Sequence, residues 1–574
     1  MLLGGCCMLR GTCVSEGIGI GNAYIYDDFF TALYNKCTDV SYDTVADYTS
    51  EKARFERAVQ IFLKNTEELL ANLKVKLVTG TDEADILLSH TLIVKDEGFQ
   101  NKVNGYLMQG QICEDAVVKV ADEYRQMFLQ SGDEELMLRS ADIEDIKQRL
   151  ISILAEKSTV DFSELNEDSI LVIRELLPSQ VCDIVKTGIQ AIITEKGGFN
   201  SHAAILARAV GIPMITGVDF ESVKTYEGRQ IIVDSYGGLI LPVKNKEQHK
   251  AYIDRQAVIK SEKEALEALT DSITVTRDGK RINLYANISD LADVKEAVRV
   301  NADGVGLFRT EHIFMSEKSA PDENLQYKKY CSVAEAFGDK PVIIRTLDIG
   351  GDKQISYLTS DDEQNPFLGH RAIRYCFGNL VIFKTQLRAL IKAHEKHDNI
   401  RILLPFITTV EEIKEARKLI EEIAGNNSKI KIGIMIETPA AAFMILNLAK
   451  YVDFLSIGTN DLSQYIMAAD RGNDKVSGLC SHYQPAVIRA IAMTMTDANA
   501  AGCEVEICGE AAADTRFIPV LIGMGIKNFS VSPSAILKVR KAIAECDYRE
   551  AIDITRHVIS LETEAEIKDY LQQD

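Results

Sequence analysis

Eight short β-like runs alternate with helical patterns from residue 271 to the end of the chain, and this alternation restricts the fold more than any other feature. Strands alternating with helices over about 300 residues are typical of a (β/α)8 TIM barrel. We therefore predict an α/β protein whose C-terminal part is such a barrel. The predicted strands are RINLYANI (281–288), DGVGLFRT (303–310), PVIIRTLD (341–348), RILLPFIT (401–408), KIGIMIE (431–437), FLSIGTND (454–461), CEVEICGE (503–510) and NFSVSPS (528–534).

Polar or charged residues stand at the ends of several of these runs. Because barrel enzymes assemble their active sites at the carboxyl ends of the strands, we expect these side chains to surround one mouth of the barrel. The residues concerned are Asn287, Arg309, Asp348, Glu437, Asp461 and Glu510.

Three arginines belong to this predicted mouth: Arg309 in GLFRTE, Arg345 in IIRTLDIGGDK and Arg471 in AADRGND. A single arginine is most often part of a surface salt bridge. Three guanidinium groups near the ends of barrel strands instead favour a small, multiply charged anion, which guanidinium binds in bidentate fashion.

Glu437 and Asp461 end two consecutive runs, and two carboxylates with substrate oxygens and waters are a usual ligand set for Mg²⁺. Either carboxylate could instead cap the following helix. Cys508 ends the seventh run. A buried thiol is usually an inert core residue, but at the carboxyl end of a barrel strand it could act as a general acid.

The other informative stretch is GGFNSHAAILAR at 197–208, in which a glycine pair leads to His202 at the start of a helical pattern. Imidazole is nucleophilic near neutral pH, and backbone N–H groups at a helix start favour an anion, so this histidine is a candidate for phosphorylation. The alternative is a capped helix start with an ordinary surface histidine.

Pattern changes along the chain predict its domains. Residues 9–26 indicate a pair of strands, and β-rich runs return near 169. We predict an α/β domain formed by 8–30 and 156–242, with a helical bundle (31–155) inserted in it. A Lys/Glu-rich helical linker (243–270) then leads to the barrel (271–574).

Composition excludes several function classes. The net charge of −21, from 85 acidic and 64 basic residues, disfavours binding to nucleic acid or to anionic membranes. No apolar run reaches transmembrane length, so we expect no membrane insertion. The 12 cysteines are scattered without a CxxC pair, which favours a reducing, cytoplasmic location.

Motifs spread over nearly the whole chain resemble those of the phosphoenolpyruvate-utilising enzymes, in the order found in the enzyme I family of the bacterial sugar phosphotransferase system. They are GGFNSH, LFRTE, RTLDIGGDK, NPFLGHRAIR, MIETPAA, SIGTNDLSQY, AADRGND and CGE. The resemblance implies that a swivelling N-terminal phosphohistidine domain carries phosphate between two sites. It also implies a homodimer formed through the barrel.

The resemblance further implies a role for each candidate residue. Arg309, Arg345 and Arg471 hold phosphoenolpyruvate, with Asn460 beside it. Glu437 and Asp461 bind Mg²⁺, which is the implied cofactor. His202 accepts the phosphoryl group, and Cys508 protonates the enolate to release pyruvate. The phosphoryl group then passes to a histidine of HPr, the small phosphocarrier protein, which docks on the helical insertion.

Some positions depart from the family pattern. Leu177 in ELLPSQ replaces a threonine whose hydroxyl helps to orient the active histidine, and Phe199, Asn200 and His370 replace other usual residues. Two alternatives stay open. One is a dikinase whose nucleotide domain is a separate chain. The other is a regulatory protein that binds phosphoenolpyruvate without relaying phosphate, which only Leu177 favours. His90, in the helical insertion, is interpreted as a packing or partner-contact residue.

Overall fold

The computed structural model describes residues 8–26, 47–76, 82–130, 139–155, 162, 164–198, 201–317, 319–351, 355, 357–358, 363–425, 429–473 and 475–572. Phe199 and Asn200 lie outside the described residues. Contacts divide the chain into two compact units, Met1–Ser261 and Glu262–Asp574.

In the described part of the first unit, eight strands form one mixed sheet. Ile18–Tyr26 lies in its centre, antiparallel to Gln230–Asp234 and parallel to Ser169–Ile173. The remaining strands are Leu9–Arg10, Thr12–Ser15, Ala191–Thr194, Met214–Thr216 and Leu239–Pro242. Helices packed in this α/β part are Pro178–Ile184, His202–Ala209 and Phe220–Lys224.

The prediction of a strand pair over 9–26 was wrong, because the segment forms three strands. Gly11 and Gly17 separate them. Gly17 has a φ of +152°, a conformation that other residues rarely adopt, so the chain breaks its strand there.

A helical bundle lies between two neighbouring strands of this sheet, Ile18–Tyr26 and Ser169–Ile173, and is therefore an insertion in the α/β fold, as predicted. Its core is apolar and contains Phe55, Phe62, Phe99 and Ile146. The bundle helices are Tyr48–Lys76, Asp82–Lys95, Glu97–Met108, Cys113–Leu129 and Ser140–Leu154.

A long polar helix, Lys246–Glu267, contains the boundary between the two units and has no buried residue. Its Arg255 forms an ion pair with Asp234 (Nη1···Oδ2 2.6 Å) of the sheet. The Lys/Glu-rich composition predicted this helix, since exposed charged residues with long side chains keep their rotamer freedom in a helix.

The second unit is a closed parallel barrel, which confirms the predicted fold class. Each of the eight predicted runs overlaps one of its strands in the described residues. The strands are Asn283–Ile288, Val305–Arg309, Val342–Arg345, Ile400–Leu404, Lys431–Ile436, Phe454–Gly458, Glu504–Cys508 and Asn528–Val531.

Helices follow the strands and cover the barrel with a continuous apolar core. They are Leu291–Arg299, Glu311–Met315, Glu323–Phe337, Ile373–Gly378, Leu380–Lys396, Val410–Ala424, Pro439–Phe443, Ile445–Leu448, Thr459–Met467, Pro485–Ala501, Glu510–Ala513, Ile518–Gly523, Ile536–Glu545, Tyr548–Ser560 and Glu564–Leu571.

Several predicted strands were too long at their carboxyl ends. The strand Phe454–Gly458 stops before Thr459, and Asp461 lies in the first turn of the next helix, not at a strand end. Short polar side chains are good helix starters, which explains why the TND segment leaves the strand. Of the helices in the described part of the chain, none has the length and apolar character to cross a bilayer.

Candidate active site

A cavity of about 390 Å³ opens at the carboxyl ends of the barrel strands, and all the site residues that the sequence predicted in the barrel line it. Strand ends supply some of them directly, and the turns that follow the strands supply the rest. They are Arg309, Arg345, Glu437, Asn460, Asp461, Arg471 and Cys508.

The other three residues predicted at this mouth have different surroundings. Asn287 accepts a hydrogen bond from the hydroxyl of Ser530 (2.5 Å). Asp348 is buried and forms ion pairs with two arginines. Glu510 begins a short helix, where its backbone N–H donates to Oδ1 of Asn460 (2.9 Å) and so fixes that amide.

The arginines of the cavity differ in environment. Arg309 and Arg345 are paired residues on neighbouring strands, but Arg309 is exposed whereas Arg345 is buried. Arg345 contacts Glu311 (Nη2···Oε1 2.6 Å) and Asp348 (3.2 Å). Burial alone would lower the pKa of Arg345, but these carboxylates outweigh it and raise the pKa, so the guanidinium is always charged.

Glu437 and Asp461 form a close pair of buried carboxyl groups in the cavity wall. Burial, followed by the charge of Asp461, raises the pKa of Glu437 to about 7. Its Oε1 accepts the backbone N–H of Phe406 (2.5 Å), and Oδ1 of Asp461 is buried without a hydrogen-bond partner. Oδ1 of Asp461 nevertheless lies 3.6 Å from Nη2 of Arg471, and Oδ2 lies 3.5 Å from Nη2 of Arg371, so two guanidinium groups partly compensate its charge.

This donor set fits a hard divalent cation. In the described part of the chain, no group of three or more His, Cys, Asp or Glu side chains forms a complete metal cage. Two carboxylates suit an ion that keeps several waters and takes further oxygen ligands from a substrate.

Cys508 is a buried thiol at the end of its strand, in contact with the cavity. Burial, and second to it the nearby Glu506 carboxyl, raises the pKa of Cys508 to about 12. The residue is therefore a protonated thiol at neutral pH and can give a proton but is not a ready nucleophile.

Sequence reasoning missed Arg371, which lies in the NPFLGHRAIR motif and is among the largest fully buried side chains. It contacts Asp348 (Nη2···Oδ1 3.1 Å) and Asp461 (3.5 Å), and it donates to the hydroxyl of Tyr465 (3.0 Å). No sign of this role is visible in the sequence, because Arg371 comes to lie between two site carboxylates only when the barrel brings those segments together.

Arg371 also lies over the ring of Phe406, 4.7 Å from its centroid. Phe406 has a φ of +58°, which is rare for a residue with a side chain. This conformation allows one residue to donate its N–H to Glu437 and to place its ring against Arg371. Strained backbone of this kind persists where surrounding contacts hold it in place.

In the first unit, His202 begins the helix His202–Ala209 as predicted. Ser201 caps this helix by accepting the N–H of Ala204 (3.3 Å), so the helix start has a side-chain cap. Thr216 donates to the carbonyl of Gly197 (2.7 Å) and anchors the glycine turn. The side chain of His202 lies outside the described residues.

Two other sequence interpretations concern the first unit. His90 is fully buried, with its ring nitrogens 3.5 Å and 3.9 Å from Asp142 and Asp145, so it is a packing residue and not a partner contact. Leu177 is buried and its N–H donates to the side chain of Gln180 (2.9 Å).

Family models match the chain in three consecutive segments. They describe PEP-utilising enzymes: the N-terminal domain over 10–139, the mobile domain over 165–238 and the PEP-binding domain over 263–548. The arginine-lined cavity lies in the last segment, and His202 lies in the mobile domain.

Similar proteins named phosphoenolpyruvate-protein phosphotransferase come from an archaeon and from bacteria. The protein from Haloferax volcanii is 39% identical over 505 residues, covering 86% of this chain and 88% of the relative. Those from Listeria monocytogenes and Bacillus subtilis are each 34% identical, covering 98% of this chain and 99% of the relative. The chain belongs to the phosphoenolpyruvate–protein phosphotransferase family. This phosphotransferase is thus a PEP-utilising enzyme, and its matched PEP-binding domain is the barrel.

Proposed function

We propose that this phosphotransferase takes the phosphoryl group of phosphoenolpyruvate onto His202, releases pyruvate and passes the group to a histidine of HPr, as the first step of phosphotransferase-system sugar uptake. One observation carries the proposal. A single cavity in the matched PEP-binding domain gathers three arginines, two carboxyl groups, an amide and a thiol.

The substrate is a three-carbon carboxylate with a phosphate ester, and the cavity offers complementary charge for both groups. Arg309, Arg345 and Arg471 would hold the phosphate, and the amide of Asn460 would contact the substrate beside them. Arg345 is held in place by Glu311, so its guanidinium is oriented before the substrate arrives. Such preorganisation lowers the reorganisation needed at the transition state.

Glu437 and Asp461 would hold Mg²⁺ between them. When bound, the ion would neutralise charge that develops on the phosphate and the leaving oxygen. The two carboxyl groups themselves are kept in position by the N–H of Phe406 and by the guanidinium of Arg371.

Transfer then requires an in-line attack by a nitrogen of His202 on phosphorus, with the enolate of pyruvate as leaving group. The S–H bond of Cys508 breaks as its proton passes to C3 of the enolate, and pyruvate forms. The phosphohistidine domain swivels so that the same histidine meets HPr, with the linker helix as the element that joins the two domains. The domain boundaries in this scheme are those predicted from the sequence.

HPr would dock on the helical insertion. Helix Asp82–Lys95 exposes Leu88 and Leu92, the latter to 70%, and Met127 on Cys113–Leu129 is 55% exposed. Exposed apolar side chains on a chain with a net charge of −21 suit a small basic protein partner. A homodimer formed through the barrel and a cytoplasmic location complete the proposal.

The test is transfer of labelled phosphate from phosphoenolpyruvate with Mg²⁺, compared with labelled ATP, with and without HPr. Acid-labile label from phosphoenolpyruvate that chases onto HPr supports the proposal. Label from ATP alone would favour a dikinase instead. Binding of phosphoenolpyruvate without label would contradict the proposal and favour the regulatory alternative associated with Leu177.

A further inference from the structure

A buried carboxyl group lies directly beneath the cavity and has no part in the mechanism above. Glu506 is on the strand Glu504–Cys508, two residues before Cys508, so both side chains point to the same side of the strand. Its side chain is buried, with 3% exposure. A Cβ atom on Gly306, in the strand Val305–Arg309, would come within 3.0 Å of its Oε2, so the glycine leaves space for the carboxyl group.

A serine hydroxyl connects this carboxyl group to the cysteine. Ser456 lies on the adjacent strand in register with Glu506, and Gly458 is in register with Cys508. The hydroxyl oxygen of Ser456 is 2.9 Å from Oε1 of Glu506 and 3.8 Å from the sulfur of Cys508. One hydroxyl proton cannot be donated to both. Both contacts can form together when a protonated Glu506 donates to Ser456 and Ser456 donates to the sulfur.

The surroundings of Glu506 favour this protonated form. Burial raises the pKa of Glu506 to about 8. Two charged groups act on this pKa in opposite directions: the exposed Glu504 raises it and Arg401, which contacts Glu504 (Nη1···Oε2 3.4 Å), lowers it. The charge of Glu506 also acts on Tyr285, on the first barrel strand. Burial is the main cause that raises the pKa of the Tyr285 hydroxyl to about 12. No described residue forms an ion pair with Glu506 within 4 Å.

We propose that Glu506 is a positioning residue that acts through Ser456 to make Cys508 a stronger proton donor, an inference that rests on the function proposed above. The S–H bond of Cys508 breaks and a C–H bond forms at C3 of the enolate. Ser456 gives its proton to the sulfur and takes the carboxyl proton of Glu506. The negative charge thus ends on Glu506, and one solvent proton restores the acid after pyruvate leaves.

The direction of this relay follows from acid strength. Burial raises the pKa of the Cys508 thiol, so it is a poor acid at neutral pH, whereas burial raises the pKa of the carboxyl group behind it only to about 8. Moving the charge from sulfur to Glu506 therefore makes proton donation more favourable. General acid catalysis depends on the strength of the donor in this way.

The experiment compares Glu506→Gln and Ser456→Ala with Glu504→Gln, a control at an exposed glutamate of the same strand. Glutamine keeps the size of Glu506 and can donate to Ser456, but it cannot release a proton. Ser456→Ala keeps Glu506 and Cys508 but removes the hydroxyl group that connects them. Pyruvate release from phosphoenolpyruvate is measured by continuous assay from pH 6 to 9.5, with circular dichroism to verify folding.

We expect both relay variants to release pyruvate ~10²-fold more slowly than the control, which matches the usual contribution of a general acid. The wild-type rate should fall above pH 8, and this alkaline limb should be absent in Glu506→Gln. If Glu506 had only a structural role, the rate of Glu506→Gln would still fall above pH 8. Rates of both variants within about twofold of the control, with the limb unchanged, would overturn the relay. Wild-type protein that forms no pyruvate at all would instead contradict the proposed function.

Discussion

Arg371 should contribute more to the stability of the barrel than any exposed arginine, and Arg371→Met tests this directly. The side chain is 1% exposed and lies between Asp348 and Asp461. Methionine fills most of its volume but removes the ion pairs with Asp348 and Asp461. Breaking a buried ion pair in this way costs about 3–5 kcal/mol.

Arg374→Met is the matched control, because Arg374 lies over the same ring of Phe406, 4.8 Å from its centroid. Arg374 is half-buried and donates to the backbone carbonyls of Leu368 and Gly369. Losing these hydrogen bonds should cost roughly 1 kcal/mol. The contact with the ring is common to both arginines, so the difference between the variants isolates the buried carboxylates.

Differential scanning calorimetry is the suitable assay, since the chain contains no tryptophan. Phosphoenolpyruvate with Mg²⁺ identifies the barrel transition, because a ligand of the native state raises its melting temperature. We expect Arg371→Met to lower that temperature by roughly 5–15 °C, and Arg374→Met by a few degrees at most. Equal shifts in the two variants would refute the reasoning, since they would show that the buried carboxylates do not need Arg371.

Three further predictions concern the cavity. Cys508→Ser should bind phosphoenolpyruvate normally in calorimetric titration. It should release pyruvate ~10²–10⁴-fold more slowly than wild type, because a hydroxyl is a poorer acid than a thiol. An unchanged rate would exclude the thiol as the proton donor. Mg²⁺ affinity should be constant above pH 7 and fall ~10-fold per pH unit below it, because protons compete for Glu437, whose pKa burial raises to about 7; a flat titration series would contradict this. The pKa of Glu506 is raised in the folded protein. Its protonated form therefore contributes to the free energy of unfolding at low pH, and this contribution is lost as the pH rises towards 8. Glu506→Gln should therefore raise barrel stability at pH 9 by up to about 5 kcal/mol relative to wild type. Calorimetry of both proteins at pH 5 and pH 9 tests this. If Glu506 were ionised at both pH values, the effect of the substitution would be the same at pH 5 and pH 9.

Periodicity and strand-end chemistry were sufficient to predict the barrel and its cavity. Each run of β-branched and apolar residues overlaps a barrel strand, and residues such as Arg309 and Cys508 end theirs. Parallel strands in a barrel all present their carboxyl ends to one mouth, so residues distant in sequence could be placed together without a structure.

Element boundaries and indirect contacts were less predictable. Glu97–Met108 is a helix although Gly98 and Gly105 lower its helix propensity, because packing of Phe99 and Val103 into the bundle core stabilises it. Arg371 gave no local signal, since its partners are 23 and 90 residues away in the chain. Glu506 resembled an ordinary polar residue of an alternating strand, and only the closed barrel shows that it faces inward.

The most direct test of the account is to identify which residue receives the phosphoryl group. The intact chain would be incubated with phosphoenolpyruvate and Mg²⁺, digested at alkaline pH and mapped by mass spectrometry, alongside His202→Ala. The account predicts an acid-labile phosphate on the peptide that contains residues 197–208, absent from the variant. Phosphate on another histidine, such as His312 in the cavity wall, or phosphate that persists in His202→Ala, would contradict it.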